Sequence, residues 1–425
     1  MPAFPFTDER LDNGLRVVLS EDHAAPVVAV NLWYNVGSRH ETRGLTGFAH
    51  LFEHLMFEGS RNVQRGEHFA LVNAAGGTLN GSTWCDRTNY YEVVPSNHLE
   101  LMLWLEADRM GGLLDALSQE TLDNQREVVK NEKRQSFDNA PYGSYVEKLH
   151  EAVFPDGHPY HHSTIGSMQD LNAASLEDVQ NFFQRYYAPN NAVLSVVGDF
   201  ETDEARRWVE RYFGGIDRND DVLAAPDGTV AAHIGREIRE VVPDRVQLER
   251  VFMGWRSPPY GTREFDALYM ATAVAGMGRG SRLHQELVLN RQLAMDVSLG
   301  PWPFVGGASM TLGATTARSG VPAAEAEAVF HEVVESLTTG VTDEELARAR
   351  GLVERHELSE LQGVGGRADN FSEAATLFDD PGVVNRRLEG WLSVTPDEIA
   401  RVAADVFVPD NRVVLTYVPE AEGSS

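Results

Sequence analysis

Ser175-LEDVQNFFQRYYAPNNAV-Leu194 aligns without a gap on Thr395-PDEIARVAADVFVPDNRV-Val414, at a constant offset of 220 residues. Polar openings match, Val179 faces Ile399, Tyr187 faces Phe407, Pro189 faces Pro409, Asn191 faces Asn411 and Val193 faces Val413. Each copy reads as a helix that breaks at Pro and leads into a strand. Such units can recur by chance, but agreement in register along the whole stretch reads as duplication. The chain is then two similarly folded halves. The polar run Asp217-RNDDVLAAPDGTVAA-His233, with its charge cluster, Pro and Gly, is the natural joint between them. We therefore expect domains at 1–217 and 236–425, with a linker at 218–235.

Working back from the repeat, the first half contains Gly44-LTGFAHLFEHLMFE-Gly59. Its flanking residues Phe48, Leu51, Phe52, Leu55, Met56 and Phe57 are apolar all round, which predicts a buried helix. On that helix His50 and His54 lie one turn apart and project from one face, so both imidazoles can reach one ion. Glu53 points to nearly the same side. His-x-x-Glu-His is the inverse of the His-Glu-x-x-His order, in which two histidines hold zinc and the carboxylate acts as general base. The competing reading is coincidence in a chain with 14 histidines. Burying these three groups without partners would be costly, however, and a metal satisfies them together. The 220-residue offset places Met270, Ala273 and Val274 opposite His50, Glu53 and His54, and the segment Glu264-FDALYMATAVAGM-Gly278 holds no histidine. The second half is expected to have kept the scaffold and not the chemistry.

Composition limits the alternatives. At 425 residues and 42% hydrophobic, the chain is too long for one ordinary core and rich enough for two. A formal net charge of -28 argues against nucleic acid and anionic membranes as partners. The start, Met1-PAFPFTDERLDNGL, has neither a basic nor an apolar leader region, and no apolar run has membrane length. The expectation is a soluble, cytoplasmic protein. The single cysteine, Cys85, excludes an internal disulfide and reads as a small buried hydrophobe.

Zinc needs a third protein ligand from another element. The helix expected over 118–136 offers Glu120, Asp123, Glu127 and Glu132. At about 100° per residue, Leu122, Gln125 and Val129 share a stripe that Glu132 continues, whereas the other three acids point well away from it. Glu132 is therefore the expected third ligand, against the bland reading of a solvated helix glutamate.

These residues resemble the pitrilysin-type inverzincin metallopeptidases, and most of all their short bacterial members and the mitochondrial processing peptidase subunits. The resemblance rests on His50-x-x-Glu53-His54, on Glu132, 78 residues after His54 in Arg126-EVVKNEKRQ, and on a series of shorter matches. Those include Asn13-Gly-Leu-Arg-Val, Phe57-Glu-Gly-Ser60, Thr88-NYYEVVP, Pro141-Tyr-Gly143, the Ala188-Pro-Asn-Asn run and Ser281-Arg-Leu283. It implies an α+β fold of two homologous halves, each a mainly antiparallel sheet with helices packed on one face. It further implies that two chains, or one of double length, enclose a chamber in which peptides or unfolded segments are cut. His50, His54 and Glu132 would hold one zinc per chain and Glu53 would be the general base. Asn80 and Gly81 fall on the strand where the family lays its substrate down as an added β-strand.

Two departures stand out. Gln125 replaces an additional active-site glutamate found in several relatives. The arginine and tyrosine with which active relatives hold the substrate and steady the tetrahedral intermediate fall at Val288 and Met295, and neither can do that work. A register shift onto Arg291 or Arg282 is the less favoured explanation, since neither has a suitably spaced tyrosine. The expectation is a catalytic subunit whose homologous partner supplies the Arg/Tyr pair, a heterodimer more readily than a homodimer. A non-catalytic core subunit of a larger complex is the alternative. A phosphate-cradling role for Gly276-Met-Gly-Arg-Gly-Ser-Arg282 fits neither nucleotide-binding spacing, and a tight turn or a substrate loop suits it better.

Overall fold

The computed structural model describes residues 3–420. Two compact units emerge, and neither is one continuous piece of chain. The first comprises Met1–Glu132, Ser163–Pro226 and Leu358–Arg386, and the second Lys133–His162, Asp227–Glu357 and Arg387–Ser425. One change of unit, at Pro226, falls within the expected linker at 218–235. The others fall inside the expected domains.

The first unit is built on six strands: β1 (Thr7–Arg10), β2 (Arg16–Glu21), β3 (Val27–Tyr34), β4 (Thr78–Thr83), β5 (Thr88–Pro95) and β6 (Ala192–Gly198), in the order β1-β2-β6-β3-β5-β4. β2 and β3 are consecutive strands joined by a short polar turn. They do not pair, because β6 lies between them, parallel to β2 and antiparallel to β3. β4 and β5 form an antiparallel pair, with Gly81 opposite Tyr90. β4 is an edge strand, with β1 at the opposite edge.

The second unit holds β7 (Ile238–Asp244), β8 (Arg250–Ser257), β9 (Ala294–Trp302), β10 (Ser309–Ala317) and β11 (Arg412–Pro419), ordered β7-β11-β8-β10-β9. β11 is parallel to β7 and antiparallel to β8, the arrangement of β6 with β2 and β3. The two halves of the repeat therefore do the same job. The preceding helices, Leu176–Tyr186 and Pro396–Val406, are each closed at the N-terminus by a capping box, Ser175 with Asp178 and Thr395 with Glu398. At the far end Asn191 Nδ2 donates to the Tyr186 carbonyl at 2.8 Å, and Asn411 Nδ2 donates to the Val406 carbonyl at 3.0 Å. These bonds satisfy carbonyls that a helix C-terminus leaves open, which explains why Asn recurs at that position.

In the first unit, α1 (Phe48–Leu55), α2 (Glu67–Ala74), α3 (Leu99–Ala116) and α4 (Gln119–Lys133) follow in chain order. α1 and α3 pack on β5. The opposite face, lined by Val18, Ala29, Val193 and Val197, is covered by the helix Val364–Phe378 through Ala368, Phe371 and Ala375. In the second unit the face bearing Val251, Met253 and Trp255 packs on the helix Arg263–Gly276, and the other face receives Tyr145–Val153, whose Tyr145 stacks on Phe252 with centroids 4.1 Å apart. Each sheet thus has its second face covered by a helix drawn from the other half of the sequence. No helix among the described residues is long and apolar enough to cross a membrane.

Candidate metal centre

α1 starts at Gly47, whose φ of 90° suits glycine. Its open amides at Gly47 and Ala49 donate to the two carboxylate oxygens of Glu41, both at 2.8 Å. A negative charge at this end also complements the helix dipole. With Phe48, Leu51, Phe52 and Leu55 buried, the histidines occupy the remaining face. His50 and His54 have ring centroids 4.9 Å apart and stand almost perpendicular.

Glu132, near the C-terminus of α4, meets them. Leu122, Gln125 and Val129 are buried along the expected stripe, and Glu132 continues it. His50 Nε2 lies 3.7 Å from Glu132 Oε1, and His54 Nε2 lies 3.3 Å from Glu132 Oε2. One ligand atom from each residue falls within 4.8 Å of the others. Tetrahedral zinc with bonds near 2.0–2.2 Å sets its ligand atoms roughly 3.3 Å apart, so this donor set fits that ion. Burial pushes the His50 imidazole below its ordinary value, which keeps a ring nitrogen available to a metal. His54 and His50 together hold the Glu132 carboxyl low.

Glu53 borders the edge strand β4. A Cβ built on Gly81 would come 3.1 Å from Glu53 Cγ, 3.1 Å from Tyr90 Cδ1 and 3.3 Å from Phe57 Cε2. Only glycine leaves Glu53 and β4 this close without displacement. Asn80 is exposed, and its Oδ1 accepts the Gly81 amide at 3.0 Å. Gln125 does not face the ligand cluster as an anion. Its Nε2 donates to Glu58 Oε1 at 2.7 Å, and Glu58 also pairs with Arg65.

The second half presents a different surface. Met270, Ala273 and Val274 are 0%, 2% and 0% exposed within the apolar core. Val288 packs against that core from its edge, and Met295 is exposed. Arg282 is committed to structure, since Nε and Nη2 contact both oxygens of Glu345 while Nη1 donates to Ser336. Arg291 pairs with Glu286 and Glu332. The glycine run 276–282 leaves a helix rather than a strand, with Gly278 at a φ of +75°, which is turn geometry.

One group of residues escaped the sequence reading. His68, Glu92 and Glu106 form a second buried cluster, and Arg109 joins it. The available signal was the acid-base pair Glu106 and Arg109, three apart on the helix whose apolar residues Leu99, Met102, Leu103 and Met110 mark its buried side.

A duplicated α+β fold in which one copy alone carries a His-x-x-Glu-His helix and a converging glutamate defines a class of metal-centred proteins. Residues 16–166 match the model of the insulinase peptidases, family M16, and residues 173–352 match that of the M16 inactive domain. The chain is 30% identical over 413 residues to the zinc protease PqqE of Helicobacter pylori, covering 93% of this chain and 89% of that protein. It is 25% identical over 411 residues to an uncharacterized zinc protease of Streptomyces coelicolor, covering 93% and 86%. The crystal structure of a protease from Helicobacter pylori superimposes with a TM-score of 0.91 at 27% identity, covering 98% of this chain and 100% of that one. An M16 inactive domain from Pseudomonas fluorescens shares the fold at a TM-score of 0.86 and 16% identity, covering 98% of each chain. This chain belongs to the M16 peptidase family.

Proposed function

We propose that this protein is a zinc metalloendopeptidase, the metal-bearing catalytic subunit of a heterodimer, acting on peptides or unfolded segments. The observation that carries the reading is the convergence of His50, His54 and Glu132 within 4.8 Å beside Glu53. Those three residues would hold one zinc, which when bound supplies Lewis acidity to a peptide carbonyl and to water. Glu53 is the group placed to take a proton from the attacking water and return it to the leaving amine nitrogen. The edge strand β4, with Asn80 and Gly81, offers unpaired backbone to an extended peptide, which favours recognition of main chain over side chain. His50 and His54 from α1 and Glu132 from α4 are the residues that would hold the metal.

At the positions where active relatives carry the arginine and tyrosine, the second half offers no group to hold the developing oxyanion. Val288 and Met295 lack the chemistry, and Arg282 and Arg291 are engaged in ion pairs. This supports an Arg/Tyr pair supplied by a homologous partner. The test is Glu53→Gln, assayed with the partner subunit present. Turnover should fall by about 10²–10⁴-fold while zinc content is unchanged. Near-normal hydrolysis by that variant would overturn the role of Glu53, and robust hydrolysis by the isolated wild-type chain would overturn the heterodimer.

A further inference from the structure

Beneath α1 the first unit contains four ionisable side chains in a core with almost no access to water. Arg109, Glu106, Glu92 and His68 are 1%, 0%, 1% and 4% exposed. Arg109 Nε donates to Glu106 Oε2 at 3.2 Å, and its Nη2 contacts the other oxygen. Arg109 also lies 3.8 Å from Glu92, and His68 Nε2 lies 3.4 Å from Glu92 Oε1. One oxygen of Glu92, one oxygen of Glu106 and a ring nitrogen of His68 all lie within 4.8 Å of one another. Two ionised carboxylates this close in a dry core repel and offer each other only acceptors, and a proton retained on one of them relieves both problems.

Charge accounting agrees. Burial pushes His68 down to about 4, so it is neutral near pH 7. The site then holds one guanidinium and two carboxyls, and it is neutral only if one carboxyl keeps its proton. Burial pushes Glu106 up to about 8, with Glu92 adding to that rise, which marks Glu106 as that carboxyl. The groups facing Glu106 are Glu92 from β5, Arg109 from its own helix, the buried Tyr34 from β3 and His68 from α2, which burial keeps neutral. None but Arg109 carries a positive charge. A second ionisation would leave a net negative charge in a dry core.

The cluster reaches the metal centre through aromatic rings. The Arg109 guanidinium lies 5.0 Å from the Phe57 ring centroid and 4.3 Å from that of Tyr90. Phe57 closes the end of α1, its amide donating to the His54 carbonyl at 3.1 Å. The Tyr90 hydroxyl donates to the Phe52 carbonyl at 3.3 Å. These two rings, with Glu53, also line the space beside Gly81.

We propose that Glu92 and Glu106 share one proton under Arg109, and that this neutral cluster is a positioning site that seats Glu53 and the β4 edge strand through Phe57 and Tyr90. When the proton leaves to solvent, Glu106 becomes a second carboxylate, Arg109 is drawn between two anions, and its stack on Phe57 and Tyr90 loosens. Hydrolysis should therefore decline on the alkaline side by a step that belongs to this cluster. The positioning claim rests on the peptidase reading, whereas the proton-sharing claim does not.

Infrared difference spectroscopy of the full chain at pH 7, wild type against Glu106→Gln, reads the proton directly. One un-ionised carboxylic acid band should be present in the wild type and missing from the variant. Wild-type thermal stability should fall as pH rises through about 8, and that of the variant should not. Identical spectra and identical pH dependence would overturn the shared proton, whether or not the protein is a peptidase. For positioning, Arg109→Met should lower kcat about 10- to 100-fold with zinc stoichiometry and KM little changed. If Arg109→Met does not fold, Phe57→Leu removes the stack while leaving every charge in place and should lower kcat in the same way. An unchanged kcat in the folded variant would overturn the positioning role.

Discussion

The helices Phe48–Leu55 and Arg263–Gly276 occupy corresponding steps of a duplicated fold and have opposite contents. The first turns His50 and His54 toward a glutamate and sets Glu53 beside β4, and the second fills the matching positions with Met270, Ala273 and Val274 in a closed core. The scaffold needs something at those positions, since an unpartnered imidazole or carboxylate in a packed interior is destabilising by several kcal/mol. One copy meets the requirement with ligands that a metal can satisfy, the other with apolar packing. The two helices should therefore respond oppositely to truncation, one losing chemistry and the other losing stability.

The sharpest contrast is His54→Ala against Met270→Ala. His54→Ala should abolish stoichiometric zinc binding and lower kcat/KM at least about 100-fold, while changing metal-free stability by about 1 kcal/mol or less, since His54 is partly exposed. Met270→Ala should leave zinc content intact and lower the unfolding free energy by about 2–5 kcal/mol in urea titrations. A large stability loss from the first, or zinc loss from the second, would break the comparison.

Smaller effects sharpen it. Gly81→Ala inserts a methyl 3.1 Å from Glu53 Cγ, and should lower kcat about tenfold with zinc retained. Wild-type catalysis in that variant would show that Glu53 tolerates displacement.

The pH dependence of stability follows from buried histidines in both units. Burial pushes His40 down to about 3 and His150 to about 4. Between about pH 6.5 and those values the unfolded chain binds protons that the folded chain does not, so the stabilisation held above pH 6.5 is lost as pH falls. Calorimetry should show Tm declining from about pH 6.5 downward, and a flat profile to pH 4 would contradict it. The smallest effect is at His23, which sits between Asp199 at 2.6 Å and Glu21 at 2.9 Å, and which these partners push up to about 9. A raised value means that its contribution is complete below about pH 6.5 and fades as pH rises through 9. Exposure to solvent and salt screening keep it small. His23→Gln should remove this shallow alkaline slope and change little else.

Much of this was legible in the residues themselves. The repeat was readable because capping and closing are local tasks, so Ser175 and Thr395, like Asn191 and Asn411, recur at one spacing. Glu132 was readable because Leu122, Gln125 and Val129 fix which side of α4 is buried. β1 was missed, since the largely exposed Thr-Asp-Glu-Arg stretch has no apolar alternation. The insertion of β6 between β2 and β3 was invisible, because that pairing joins residues well over a hundred positions apart in the chain. For the same reason no local pattern indicates that Val364–Phe378 covers the first sheet. The Glu92–Glu106–Arg109 cluster was hidden because charged residues on an apolar stripe read as interruptions until their partners from other elements are in place.

Zinc stoichiometry of the purified full-length chain, measured by atomic emission alongside Glu53→Gln and His54→Ala, tests the central claim most directly. The account predicts one zinc per chain in the wild type, one in Glu53→Gln and close to none in His54→Ala. Full zinc in His54→Ala, or none in a folded wild type supplied with the metal, would contradict it.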